Sequence, residues 1–265
     1  MDDIAISTID GVQVIRITRP AKKNALTGAM YAAMTRALLE GDADPAVAAH
    51  AILGSGGVFT SGNDIADFLA TSKGEGGLSQ DTERFIRTLP LVAKPIVAGV
   101  DGPAIGVGTT MLFHCDLVYA TAAAMFATPF LDLGLVPEAG SSLLMPQRMG
   151  YARAFEMLVL GEAFSAERAR DAGLVNAVVG ADLLEPTVMK AGRRLATKPP
   201  EALIQARRLM RGDVAAILER TDAEVAAFRE RLSSPEAREA FQAFLEKRAP
   251  DFGAARERVV KSSGG

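Results

Sequence analysis

Residues 94–108 read KPIVAGVDGPAIGVG, and this stretch carries the strongest indication of how the chain folds. Its first half is a short apolar run that predicts a buried strand, with Pro95 near the strand start. Gly102, Gly106 and Gly108 then predict a tight loop that leads into a helix near residue 105. A strand, a small-residue loop and a helix in this order predict an α/β core with crossover connections.

The flanking segments continue this alternation of strands and helices. Residues 4–18 alternate apolar and polar side chains around Asp10-Gly11, which predicts a β-hairpin. Thr27 is placed to cap a helix that runs to about residue 40. Further strands are predicted at 48–53, 94–100, 116–120, 125–127 and 174–179, and further helices at 81–89, 105–115, 139–148, 151–160 and 165–172. Helical patterns dominate from residue 183 to about 247, so the C-terminal third is predicted to be mostly helical.

The composition limits the class of protein. The chain has 265 residues, 49% of them hydrophobic, which is enough for one large domain or a domain with an appendage. Its 29 basic and 32 acidic residues give a net charge of -3, and this balance does not indicate a nucleic-acid or membrane partner. Cys115 is the one cysteine, which excludes a disulfide framework. Because no apolar stretch has membrane-spanning length and no export signal stands at the start, we expect a cytoplasmic protein.

Two glycine-bearing loops indicate a pocket for a developing negative charge. They are residues 59–65, FTSGNDI, and residues 102–108, GPAIGVG. Small residues let a ligand approach the main chain, and free N–H groups at the start of a helix can hold an oxyanion. For either loop alone, tight packing of a strand against a helix is the better explanation. Neither loop has the spacing of a nucleotide-binding motif.

Glu138 is the candidate acid/base group. It follows the apolar run 133–136 and precedes the sequence AGSS. Burial in such a neighbourhood would raise the pKa of its carboxyl group, which suits a general base working near neutral pH. The alternative is that Glu138 caps the helix predicted to begin near residue 139, because acidic residues are common at helix N-termini.

The other candidate groups are predicted to be structural. Asp116 and Asp132 also lie in apolar contexts, and we expect them to pair with other side chains. His50 and His114 have no partner at metal-ligand spacing, so no metal site is predicted. The glycine-rich segment Thr71–Ser79 predicts either a mobile loop near the active site or a disordered bend, and its composition favours the bend.

Six short motifs follow one another along the chain: RPAKKNAL at 19–26, FTSGNDI at 59–65, KPIVAGVDGPA at 94–104, CDLVYA at 115–120, AGLV at 172–175 and FLEKR at 244–248. In their order and spacing they resemble the crotonase superfamily, which is the enoyl-CoA hydratase/isomerase family. The resemblance implies a ClpP-like spiral of ββα units in residues 1–195. It implies a helical part in residues 196–265 that builds homotrimers, often paired into hexamers. It also implies an acyl-CoA thioester substrate, in which coenzyme A is part of the substrate and no separate cofactor is needed.

The resemblance places a thioester oxygen between the main-chain N–H groups of Asn63 and Val107. It implies that Lys22, Lys23 and Arg19 run near the coenzyme A phosphates, although solvated surface charges are an equally good explanation for them. The full set of substrate-contacting residues carried over by position is Lys22, Ser61, Gly62, Asp64, Ile65, Gly106, Thr110, Phe130 and Lys247.

The acidic positions distinguish the branches of the family. Typical hydratases carry two glutamates, and this chain has Thr110 and Phe130 at those two positions. Δ3,Δ2-Enoyl-CoA isomerases of the peroxisomal type carry one catalytic glutamate, which falls on Glu138. The resemblance therefore implies isomerisation of 3-enoyl-CoA to 2-enoyl-CoA by a 1,3-proton shift in fatty-acid metabolism, with Glu138 as the acid/base group.

Three alternatives remain open at this point. The first is a hydratase or another crotonase-type reaction, with Glu138 or Asp132 as an unusual base. The second is a non-catalytic acyl-CoA-binding member of the fold. The third is a dienoyl-CoA isomerase, although such an enzyme normally needs a second acid where this chain has Phe130.

Overall fold

The computed structural model describes residues 3–64 and 79–253. The strands are β1 (Ile4–Ile9), β2 (Val12–Ile17), β3 (Ala49–Leu53), β4 (Ile96–Val100), β5 (Pro103–Ile105), β6 (Leu117–Thr121), β7 (Met125–Ala127), β8 (Phe164–Ser165) and β9 (Ala177–Val179). The α-helices are α1 (Gly28–Ala43), α2 (Gln80–Thr88), α3 (Val107–Thr110), α4 (Ser141–Met149), α5 (Tyr151–Leu158), α6 (Ala166–Asp171), α7 (Ala181–Ala196), α8 (Pro200–Arg211), α9 (Val214–Leu232) and α10 (Pro235–Glu246). Short 3-10 turns lie at Pro20–Lys22, Leu89–Leu91, Met111–His114 and Leu131–Leu133.

The described strands form two sheets. The larger sheet has the order β1-β2-β3-β4-β6-β9, and its pairs are parallel except for the β1–β2 hairpin. The smaller sheet has the order β5-β7-β8. The consecutive strands β4 and β5 lie in different sheets, and so do β6 and β7. Each of these strand pairs therefore contributes one strand to each sheet, which is the repetition expected of a ββα spiral.

Several local predictions hold. The first hairpin turns at Asp10 and Gly11, whose φ angles are 52° and 77°. Both are left-handed, as a two-residue turn between right-twisted strands requires. Thr27 caps α1 by accepting the N–H of Met30, and the helix extends a few residues beyond the predicted end. The predicted loop Thr71–Ser79 lies outside the described residues, apart from Ser79, which caps α2.

The prediction of a helix at 105–115 is wrong in part. Pro103–Ile105 form strand β5, and α3 covers only Val107–Thr110 before the chain continues as a 3-10 turn. Strand β5 pairs with β7, where Ala104 is opposite Phe126. Pro103 begins this strand and glycines flank it at 102 and 106, so the sequence pattern indicated a loop leading into a helix instead.

The helices after residue 180 pack in two places. Helix α7 covers one face of the larger sheet, where Val188 and Met189 join an apolar cluster with Val12, Val97 and others. Helix α9 packs against α4, and α10 packs against the 3-10 turn Leu131–Leu133. The prediction of a helical C-terminal third is thereby confirmed, whereas the domain boundary near residue 195 stays a prediction. Across residues 3–64 and 79–253, no helix is long and apolar enough to cross a membrane.

Candidate active site

Most of the predicted site residues line one cavity of about 670 Å³. It is bounded by the loop after β3, the turn between β5 and α3, residues 129–135 and helices α9 and α10. The predicted site residues on its wall are Lys22, Ser61, Gly62, Asn63, Asp64, Gly106, Val107 and Phe130. Glu138, Thr110 and Lys247 are not among the described residues that line it, and Ile65 lies outside the described part of the chain.

The two predicted loops lie side by side because their main chains are hydrogen-bonded. The N–H of Ile105 donates to the carbonyl oxygen of Thr60 over 3.0 Å, and the N–H groups of Phe59 and Thr60 donate to Pro103 over 3.1 and 3.0 Å. Gly62 adopts a φ of +87°, and a Cβ there would lie 2.8 Å from the Ile105 oxygen. The close approach of the loops therefore requires glycine at this position.

This packing brings two main-chain N–H groups to the same cavity. Asn63 directly follows Gly62. Val107 is the first residue of α3 and follows Gly106, whose φ is 57°. Within the described chain, neither the Asn63 N–H nor the Val107 N–H donates to an acceptor. Both residues line the cavity, so the wall carries two available donors.

The Asn63 side chain is anchored by Tyr31 from α1. The Tyr31 hydroxyl donates to Asn63 Oδ1. The Tyr31 ring packs on Phe85 with the ring centroids 5.2 Å apart. The sequence pattern did not reveal this contact, because Tyr31 lies on the apolar face of α1 and only its hydroxyl distinguishes it from a core residue.

The charged residues near the cavity divide into two groups. Lys22 and Lys23 are exposed and line the cavity. Arg19 is paired with Asp64, with Nη1 and Oδ2 2.8 Å apart.

Lys247 lies at the end of α10, beside the cavity lining rather than in it. This residue ends α10 in the left-handed conformation, with a φ of 54°. The chain turns there, and Arg248 lines the cavity in place of Lys247. Arg248 is paired with Glu239 and Glu246, each over 2.6 Å, and the role of Lys247 in substrate binding stays a prediction.

Glu138 is buried, with 3% of its surface exposed. Its Oε1 accepts a hydrogen bond from the Thr110 hydroxyl over 2.5 Å. Burial raises the pKa of Glu138 to about 8, with the Thr110 hydrogen bond opposing the rise and the carboxylate of Glu224 adding to it. The predicted desolvation is therefore confirmed. Thr110 lies in the same short helix as Val107, so the carboxyl group contacts the element that provides one of the two available N–H donors.

The turn after Glu138 is supported by a buried histidine. Ala139 and Gly140 both have left-handed φ angles, 58° and 70°. His114 Nε2 donates to the carbonyl oxygen of Ala139 over 2.7 Å. Burial, aided by nearby arginines, lowers the pKa of His114 to about 3, so the imidazole is neutral. His114 is thus a structural residue, as the sequence analysis expected.

The start of α4 is capped by Glu224 rather than by Glu138. Glu224 reaches over from α9, and it accepts the N–H of Gly140 over 2.6 Å and that of Ser142 over 2.8 Å. The alternative that the Glu138 side chain caps this helix is therefore wrong. No sequence signal identified Glu224, because its partners are main-chain groups 82 and 84 positions away.

An apolar wall stands on the other side of the cavity. Phe130 is 6% exposed, and its ring meets Phe228 of α9 edge to face, with centroids 6.5 Å apart. Leu133 and Leu135 complete this part of the lining. Phe228 and the two leucines were not predicted as site residues, because apolar side chains at these positions are equally typical of a core.

The two remaining acidic candidates differ from each other. Asp116 pairs with Arg207 over 2.8 Å and accepts the N–H of Ile96, so its prediction as a structural partner is confirmed. Asp132 is exposed and lines the cavity, because the 3-10 turn Leu131–Leu133 places it at the surface. Its prediction as a structural partner is wrong. Within the described ranges, no group of three or more His, Cys, Asp or Glu residues is arranged to hold a metal ion.

The sequence profile of the enoyl-CoA hydratase/isomerase family matches residues 7–255. The chain belongs to this family. It is 36% identical over 215 residues to enoyl-CoA delta isomerase 2 of Rattus norvegicus, covering 78% of this chain and 54% of that protein. The chain thus spans about half the length of that relative. It is 29% identical over 253 residues to 2,3-dehydroadipyl-CoA hydratase of Escherichia coli K12, covering 95% of this chain and 99% of that protein.

Solved structures of the family share the fold. An enoyl-CoA hydratase/isomerase from Pseudoalteromonas atlantica T6c superposes with a TM-score of 0.89 at 38% identity, covering 94% of this chain and 99% of that one. The predicted crotonase fold, an α/β core followed by helices, is therefore confirmed. Because an isomerase and a hydratase both occur among the relatives, similarity alone does not separate the two reactions.

Proposed function

We propose that the chain isomerises 3-enoyl-CoA esters to 2-enoyl-CoA esters, with Glu138 as the acid/base group. One observation carries the proposal: the buried carboxyl group of Glu138 is hydrogen-bonded to Thr110, which stands at a position where the family resemblance expects a hydratase glutamate. The second hydratase position holds Phe130, which is apolar and buried. One acid is sufficient for a proton shift, whereas the usual activation of water uses two.

In the proposed reaction Glu138 removes a proton from C2 of the acyl chain. The electron pair of the broken C–H bond enters a dienolate whose charge lies on the thioester oxygen, and the same carboxyl group returns the proton to C4. The N–H groups of Asn63 and Val107 would stabilise this oxygen. A single donor of this type typically changes the rate by about 10²–10³. The absence of acceptors for both groups within the described chain supports this role.

The acid strength of Glu138 suits this task. Its pKa of about 8 makes the carboxylate a much stronger base than an ordinary glutamate. The apolar wall of Phe130 and Phe228 helps to keep water away from the base. Lys22 and Lys23, which line the cavity and are exposed, would supply positive charge for the phosphates of coenzyme A.

The proposal is tested by comparing two reactions of the purified protein. Isomerisation is measured on 3-enoyl-CoA esters of several chain lengths, and water addition is measured on the matching 2-enoyl-CoA esters. We expect isomerisation to be the faster reaction at the preferred length. Faster water addition at every length would contradict the proposal.

A hydratase or related reaction is the second candidate, because Asp132 lines the cavity and Glu138 does not. In that case Asp132 would act as the base on a substrate held by the same two N–H donors. Asp132→Asn separates the candidates, since it would abolish turnover only if Asp132 were the base.

We also propose that the chain forms trimers or pairs of trimers. Leu209 and Met210 on α8 are 84% and 89% exposed, which is unusual for large apolar side chains in a protein without a partner surface. Light scattering coupled to size-exclusion chromatography tests this, and a monomer at micromolar concentration would contradict it. A cytoplasmic location stays a prediction from the sequence.

A further inference from the structure

Glu224 is a buried carboxylate that the proposed reaction does not use directly. It is 6% exposed, and both of its oxygens are occupied by main-chain donors: Oε2 by the Gly140 N–H over 2.6 Å and Oε1 by the Ser142 N–H over 2.8 Å. Burial raises the pKa of Glu224, while the hydrogen bonds from Ser142 and Gly140 lower it. Burial is the larger effect, so the pKa of Glu224 is raised overall, whereas N–H donors at both oxygens favour the ionised form.

These two contacts hold the backbone immediately after Glu138. Ala139 and Gly140 have φ angles of 58° and 70°, and the left-handed region is unfavourable for alanine. The turn therefore depends on outside contacts. Glu224 provides two of them, at the start of helix α4, where a negative charge also meets the positive end of the helix dipole.

Helix α9 connects this turn to the cavity. Phe228 lies one helical turn after Glu224, lines the cavity and contacts the ring of Phe130. A displacement of α9 would therefore disturb the acid/base turn and the apolar wall together. This arrangement gives Glu224 a connection to both sides of the proposed site.

The charged groups around Glu138 and Glu224 are few. On α9 itself, Arg220 attracts Glu224, and its Nη1 donates to the Ser142 hydroxyl over 3.4 Å. From the 3-10 turn Met111–His114, the neutral His114 meets the Ala139 carbonyl. From α3, the uncharged Thr110 donates to Glu138. Among the described residues, Glu224 is thus the charged group whose repulsion acts on Glu138.

We propose, resting on the proposed role of Glu138, that Glu224 is a positioning residue for the proton shift. Its ionised carboxylate fixes the Gly140–Ser142 backbone that follows Glu138. Its negative charge also adds to the larger effect of burial in disfavouring the ionised form of Glu138. Glu224 itself does not contact the reacting atoms.

The test compares two substitutions at this position in the full chain, using kcat and the pH profile of kcat/KM on a 3-enoyl-CoA ester. Glu224→Gln keeps the shape of the side chain and removes its charge. We expect the acidic limb of the kcat/KM profile to shift to lower pH by about half to one unit, and we expect kcat to fall about tenfold. Glu224→Asp keeps the charge and shortens the reach. For this variant we expect the acidic limb of the kcat/KM profile to stay near that of the wild type, while kcat falls and KM changes little.

Asp222→Asn is the matched control. It removes a carboxylate from the same helix, but Asp222 is 46% exposed and pairs with Arg87 at the surface. We expect it to leave both the limb and kcat unchanged.

Two results would overturn the positioning role alone. One is that both Glu224 variants have the kcat of the wild type and the same acidic limb in the pH profile of kcat/KM. The other is a loss of thermal stability in both variants with no change in kcat or limb per folded molecule, which is what helix capping alone would produce. Either result counts against the role of Glu224 alone only when Glu138→Gln is inactive, because that variant tests the proposed function separately. If Glu138→Gln keeps normal turnover, the proposed function is wrong and the role of Glu224 is wrong with it.

Discussion

The two donor loops and the Glu138 turn are built in different ways. The loops at 59–64 and 103–107 are held together by main-chain hydrogen bonds, with glycine allowing the close approach. The Glu138 turn is held by side chains from three other elements, namely Thr110, His114 and Glu224. The contact between the two loops should therefore tolerate most side-chain changes. The exceptions are the glycines and the side chains of Asn24, Thr60 and Tyr31, which hold loop 59–64 in place. The acid/base group should respond to single side-chain changes around it.

The largest expected effect is at Glu138 itself. Glu138→Gln removes the base and keeps its shape, so we expect turnover of a 3-enoyl-CoA ester to fall by about 10³, within the range typical of lost acid/base catalysis. Binding of the CoA ester should survive, because the donor loops are untouched. Steady-state kinetics and calorimetric binding measure the two quantities.

Asp132→Asn is the matched control for this substitution. Asp132 is the exposed acid on the cavity wall, and we expect its loss to change turnover by less than about threefold. The opposite pattern, an active Glu138→Gln and an inactive Asp132→Asn, would identify Asp132 as the base and contradict the isomerase proposal.

The next effect tests the donor loops. Gly62→Ala would place a Cβ 2.8 Å from the Ile105 oxygen, so the loops must separate and the Asn63 N–H must move. We expect kcat to fall about 100-fold, as for the loss of one oxyanion donor. Gly57→Ala controls for backbone strain, since Gly57 also has a left-handed φ of 71° but no atom within 4 Å of its Cβ position. Equal kinetics in the two variants would show that loop separation is not what matters.

The same difference explains how much the sequence could predict. Glycines in left-handed positions and an apolar strand before a small-residue loop are local patterns, so the donor loops and strands such as β3 and β4 were predictable. Strand β5 begins with Pro103 between flanking glycines and strand β8 has two residues, so neither shows the pattern of a strand. Their pairing depends on where the fold brings neighbouring segments.

The surroundings of Glu138 were only partly predictable. Burial followed from the apolar residues before it in the sequence. Burial is the main cause of its raised pKa, and the side chains that modify this pKa are those of Thr110 and Glu224. The turn itself is supported by His114. These side chains are far away in the sequence and meet it only after folding, so no spacing rule connects them. The same applies to Tyr31 and Asn63.

A smaller effect is expected from pH. The ionised form of Glu138 is the proposed base, and its pKa is about 8. The value of kcat/KM should therefore rise with pH and level off above about 8, changing roughly tenfold per unit well below that point. A profile with its acidic limb near pH 4 to 5, typical of an ordinary glutamate, would contradict the buried environment of the base.

The smallest effect concerns the hydrogen bond that links the two regions. Thr110→Val keeps the size of a fully buried side chain and removes the hydroxyl that donates to Glu138. That hydrogen bond lowers the pKa of Glu138, so its loss should raise the pKa further and move the limb to higher pH. At pH 7 we expect a roughly threefold loss in kcat/KM, recovered above the new limb. Thr109→Val removes the neighbouring buried hydroxyl, which donates to the Ala104 carbonyl, and should leave the limb in place. A limb that moves equally in both variants would mean that packing of α3, rather than the hydrogen bond, governs Glu138.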